Sequence, residues 1–190
     1  EIPSAILRED TPLIESGYVK PLYLLPIFQN RATHCVFNCS KYQGEVNYAI
    51  ELAHDIIDDI YKVSAITSVC KHLTLNGKTE EAIEQAYKLE AKNYFGEHSF
   101  ENIAEVLVAI SVVLMSQGNN NEAIRISKLV EPLSCGLNKE RILSEMYSQF
   151  SEILFDRGKK DEALHFFGMI KTRDGRVFQT GSHMIKKLIG

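Results

Sequence analysis

The chain has 190 residues, 45% of them hydrophobic and 24% charged, with a net charge of −4 and a pI near 5.9. A chain of this length can bury a substantial core without a disulfide or metal to support it, so it reads as one soluble globular or repeat domain. The acidic balance excludes the usual phosphate-backbone binder, and the lack of tryptophan argues against a base-stacking platform, so no nucleic-acid partner is expected.

Residues 1–27 are punctuated by Pro3, Pro12, Pro21 and Pro26 and read as an N-terminal arm or partial hairpin. "PLYLLPIF" (21–28) is too short for a membrane span and holds two prolines. No other run approaches the ~18 apolar residues a span needs. No secretory leader is visible, so a cytoplasmic location and no membrane partner are expected. "HCVFNC" (34–39) resembles the start of a metal site, and the sequence beyond it decides how it is read.

Four stretches share one spacing: "YQGEVNYAIELA", "LNGKTEEAIEQA", "SQGNNNEAIRIS" and "DRGKKDEALHFF". Gly44, Gly77, Gly118 and Gly158 are each followed five residues later by Ala49, Ala82, Ala123 and Ala163, then at once by Ile or Leu. The glycines stand 33, 41 and 40 residues apart, a near-fixed period that marks a helical-repeat array.

Ahead of the last three glycines, one apolar face recurs at i, i+3, i+4, i+7: Ile66/Val69/Cys70/Leu73, Leu107/Ile110/Ser111/Leu114 and Tyr147/Phe150/Ser151/Leu154. That is the buried stripe of an amphipathic helix. The small third member of each set lets a neighbouring helix approach closely. Glycine then ends the helix in a left-handed conformation, and a second helix follows. Its stripe reads Ala82/Ile83/Ala86/Leu89, then Ala123/Ile124/Ile126/Val130, then Ala163/Leu164/Phe167/Ile170. Thr79, Asn121 and Asp161 are candidate caps for these second helices. The extra length in the last two intervals falls at "AKNYFGEHSF" and "EPLSCGLNKER", read as longer helices or loops.

By the same register, "HCVFNC" belongs to the first helix of the first hairpin. Zinc bound by Cys35 and Cys39 needs two more ligands, and Cys70 and His72 are the only candidates, with Cys70 already in a core stripe. No metal and no cofactor are expected, and all four cysteines, Cys135 included, are expected to be reduced. There is no phosphate loop, nucleophile elbow or paired-histidine zinc motif. The acid pairs Asp58–Asp59 and Glu80–Glu81 read as solvated positions, so no enzyme is expected. Residues 173–190 form a C-terminal tail. Within it, "GSHM" (181–184) matches a common expression-vector remnant and is left out of biological inference.

Helix, glycine turn, helix, with small residues where the two meet: the chain resembles the tetratricopeptide-repeat family over about residues 28–172. It departs from the family's period of about 34 residues in its last two intervals. The resemblance implies an all-α fold, a right-handed superhelical array of about four antiparallel helix hairpins. It also implies a protein-interaction scaffold that takes a peptide or partner helix in a concave groove lined by the first helices. Carried over residue by residue, the groove presents Thr67 and Lys71, then Glu105, Val108, Ala109 and Val112, then Glu145, Gln149, Glu152 and Asp156. Ser64, Ser68, Leu75, Ser116 and Ser148 fall in the same register. The cations with which the family's chaperone binders clamp a terminal carboxylate are missing apart from Lys71. In that register Glu105, Glu145, Glu152 and Asp156 are expected to converge as an acidic rim, so the expected ligand has an apolar centre and basic flanks. The alternative reading is a self-associating regulatory domain of a larger protein, a homo-oligomer formed through its terminal segments.

Overall fold

The computed structural model describes residues 46–56, 58–89, 100–134 and 136–171. The arm, "HCVFNC", Gly44, Cys35, Cys39, Cys135, most of "AKNYFGEHSF" and the tail lie outside the described residues.

The described chain is all helical, with seven helices and no strand: α1 Val46–Asp55, α2 Asp59–Leu75, α3 Thr79–Tyr87, α4 Phe100–Gln117, α5 Asn120–Leu133, α6 Gly136–Asp156 and α7 Lys160–Gly168. Helices α2–α3, α4–α5 and α6–α7 pack as pairs, and α1 packs on α2. Each first helix also meets the next one, α2 with α4 and α4 with α6, while α3 touches α4 and α5 touches α6.

The turn explains the five-residue spacing. At Gly118 φ is +88°, and Gly77 and Gly158 are likewise left-handed at +78° and +77°. The glycine amide bonds the carbonyl three residues back (Gly118 N to Met115 O, 3.1 Å), and the next amide reaches five back (Asn119 N to Leu114 O, 3.0 Å). The same two bonds recur at Gly77–Lys78 and Gly158–Lys159, a Schellman closure of each first helix. The residue after glycine is at once the N-cap of the second helix. Its carbonyl takes the first helical bond from the alanine four residues on: Lys78 from Ala82, Asn119 from Ala123, Lys159 from Ala163.

That geometry corrects the cap assignments. Lys78, Asn119 and Lys159 are the caps, none through a side chain, and Thr79, Asn121 and Asp161 fall inside the first turn. Acids there (Glu80, Glu81, Glu122, Asp161, Glu162) complement the positive end of the helix. A side-chain cap does occur where none was expected. Asp58 accepts the amides of Ile60 (3.0 Å) and Tyr61 (3.3 Å) at the start of α2.

The small residues sit at the helix contacts. Cys70 and Ser151, at equivalent positions, donate to the carbonyls of Ala82 (3.3 Å) and Ala163 (2.8 Å), while Ser111 bonds Val108 O at 2.7 Å within α4. All three, with Ala82, Ala123 and Ala163, are fully buried. Burial pushes the Cys70 thiol up to about 12, which keeps it protonated at neutral pH. Most of the predicted stripes are buried, with one clear exception. Leu164 is 51% exposed, and α7 instead rests on Phe166, edge-on to Phe150 at 5.4 Å.

Helix α4, with a mean hydropathy of 1.5, is long and apolar enough to cross a membrane by length and composition alone, which the sequence reading did not anticipate. Its neighbours account for the composition. More than half of it is buried, among α2, α3, α5 and α6, and a helix packed on many sides reads as apolar all round.

Successive pairs are also tied at their turns. Gln117 donates to Leu75 O at 3.2 Å, and Arg157 to Met115 O at 2.6 Å and to Ser116 O. Gln117 and Arg157 both stand just before a turn glycine, and each donates to carbonyls in the last turn of the preceding first helix, where intrahelical amides run out. Arg157 adds a positive charge where the helix end is negative. Replacing Gly118 with alanine is expected to cost about 1–2 kcal/mol through the left-handed backbone. The added Cβ meets only the flexible Arg157 side chain, at 3.4 Å. Urea unfolding of the variant checks this.

Candidate peptide-binding groove

Helices α2, α4 and α6 lie side by side, each turning one face to its second helix and leaving another open. On that open face a cleft of about 370 Å³ is lined by Thr67 and Lys71 of α2, Glu105, Val108, Ala109 and Val112 of α4, and Arg141, Ile142, Glu145 and Gln149 of α6. Eight of the ten residues assigned from sequence thus come together. The i, i+4 spacing of Thr67/Lys71, Glu105/Ala109 and Glu145/Gln149 stacks them on one helix face.

A second cleft of about 660 Å³ shares Thr67, Lys71 and Glu105 and extends along α2 to Asp58, Asp59, Ile60, Val63, Ser64 and Ser68, with Asn102 opposite. The shared residues make one continuous groove. At its α2 end Ile60 is 79% exposed, an apolar ledge between the Asp58–Asp59 pair and Val63.

Other placements differ from expectation. Glu152 and Asp156 lie further along α6 and line neither cleft. Nor do Leu75 and Ser116, and Ser148 is buried rather than open to the groove. The four acids therefore do not converge as expected. Only Glu105 and Glu145 face the cleft, and a cation stands between them. Arg141 reaches Glu105 across from α6 to α4 at 3.0 Å, and its other terminal nitrogen lies 3.7 Å from Glu145 one turn on.

The sequence reading missed Arg141 and Ile60, and one signal points to both. Positions 60, 101 and 141 are equivalent in the repeat register, one turn ahead of Ser64, Glu105 and Glu145. Carrying the face one turn back finds Ile60 and Arg141, and also Glu101, which bonds the Asn138 amide at 2.9 Å.

Compared with known proteins, the chain matches no family model, no curated protein and no solved structure. The site is therefore read from its own geometry. Among the described residues no three His, Cys, Asp or Glu side chains are grouped to hold a metal. The groove offers hydroxyls at Thr67, Ser64 and Ser68, short apolar walls at Val63, Val108 and Val112, and exchangeable ions. The Thr67 hydroxyl donates to Val63 O at 2.7 Å and Ser68 to Ser64 O at 3.0 Å. Such a surface suits a linear segment held by apolar contact and bordered by charge.

Proposed function

We propose that this chain is a protein-interaction scaffold of tetratricopeptide-repeat type. In this reading residues 28–172 form a right-handed superhelical array of about four helix hairpins, and the groove on α2, α4 and α6 takes a peptide or a partner helix. The observation that carries it is that cleft, which spans the three first helices and is lined by eight of the ten side chains assigned to it. The contact order supports the array: each pair closes on itself, and each first helix then meets the next.

The test is a selection of random 12-residue peptides displayed on phage against the full chain. Val112 is half-buried at the groove wall, and Val112→Asp places a charge against the bound segment. Ala109→Trp fills the same space without charge. Peptides recovered on the parent are expected to lose tenfold or more in affinity on either variant, mainly through faster dissociation, while both variants keep the parent's circular dichroism. Peptides that bind both variants at parental rates place the contact elsewhere.

A second reading, self-association, draws on α7 and its C-cap, where Leu164 and Met169 are 51% and 40% exposed. Light scattering over a concentration series separates the two: a dimer broken by Leu164→Glu favours the second.

A further inference from the structure

We infer that residues 172–180, "TRDGRVFQT", fold back over the outer face of α6 and close the end of the array. The inference does not depend on the groove or on any ligand it takes.

The repeat register carries it. On α4, Ala104, Val108 and Met115 form one stripe on the side that meets α6. Val108 lines the cleft between the two helices, and Arg157, just past α6, bonds the Met115 carbonyl at 2.6 Å. Spacings of four and eleven residues keep the three within about 40° of helix rotation. Ser144, Ser148 and Phe155 hold the same positions on α6, each 40 residues on. They are 2%, 7% and 7% exposed, as closed to solvent as their α4 counterparts at 0%, 9% and 0%. On α4 that side is covered by α6. Among the described residues no first helix follows α6, and α7 takes the neighbouring face through Tyr147, Phe150 and Ser151. The cover on this stripe therefore comes from chain beyond these helices.

The end of α7 points to the segment. Past the C-cap Met169, the Lys171 amide donates to the Ser144 hydroxyl at 3.2 Å, so the chain leaves α7 at the head of the stripe. Phe155 lies about 17 Å further along α6, and nine residues reach about 30 Å when extended. Val177 and Phe178 stand within that reach and supply apolar surface for the stripe. Two serines where α4 has Ala104 and Val108 suit a crossing backbone better than another helix, since buried hydroxyls pair mostly with backbone groups. Leu164 and Met169 stay exposed, so the cover runs along α6 and leaves the outer side of α7 open. Repeat arrays need such a terminal cap.

Photo-crosslinking of the full chain tests this. With Phe178→p-benzoylphenylalanine, irradiation is expected to join position 178 to residues 144–155 of the same chain, read by peptide mass spectrometry on the monomer band. Phe178→Asp should speed hydrogen exchange of α6 and α7 amides by about tenfold while α2 amides exchange as in the parent, and Phe178→Leu should keep the parent's pattern. Crosslinks to residues 1–45 assign the cover to the N-terminal arm, and crosslinks between chains assign it to a second copy. Either result overturns the inference, as does unchanged α6 protection in Phe178→Asp. If Phe178→Asp fails to fold, the crosslink alone decides.

Discussion

Replacing Phe150 with alanine is expected to lower stability by about 3–5 kcal/mol, the usual range when a fully buried aromatic is truncated in a core. Phe150 is fully buried and stands edge-on to Phe166 at 5.4 Å with the rings at 87°. Phe166 in turn stacks on Tyr147 at 6.0 Å. This aromatic group joins α6 to α7, where Ala163 alone is fully buried and Leu164 faces outward. Phe166 is the ring of α7 that meets buried Phe150, so the loss falls on that helix first. Hydrogen exchange of the variant should show α7 amides losing protection while those of α4 and α5 keep theirs, as expected when stability is distributed locally. A cost below about 1 kcal/mol by urea unfolding, or uniform loss of protection, contradicts this account of the α6–α7 contact.

The residues that were legible in the sequence are those whose role is set by near neighbours. A left-handed turn selects glycine, and an N-cap carbonyl bonds an amide four residues on, so Gly77 and Ala82 keep a fixed spacing whatever surrounds them. Buried stripes such as Ile66, Val69, Cys70 and Leu73 follow from helical period alone. Caps were misjudged because residue type was weighed ahead of turn geometry. Thr79 has the right chemistry, but the closure at Gly77 puts the cap at Lys78. Gln117, Arg157 and Arg141 act on helices some 40 residues away, and no local pattern reports such a bond. Eight residues of the α2–α4–α6 cleft were named in advance because the family resemblance implies a groove on the first helices and the repeat register carries it onto these positions. Its charge was overstated because Arg141, one turn outside the chosen window, neutralises part of it.

Ala123→Phe is expected to cost about 1–3 kcal/mol, the range for forcing extra volume into a packed contact. The repeat fixes Ala123 at the fourth residue past the α5 cap, its amide bonded to Asn119 O at 2.9 Å. It cannot slide along the helix to make room. It is fully buried in the α4–α5 pair, whose α4 also packs against α2, α3 and α6. The equivalents Ala82 and Ala163 lie close enough to their first helices for Cys70 and Ser151 to bond their carbonyls. A phenyl ring at this depth must separate α4 from α5, and the groove residues of α4 shift with it. For a chain of this size each kcal/mol lowers the melting temperature by about 2–4 °C. Leu164→Phe, at the exposed position just past the equivalent alanine of α7, serves as the control and should melt like the parent. An unchanged melting temperature for Ala123→Phe shows that the α4–α5 contact has room to spare, and that alanine recurs there for helix propensity alone.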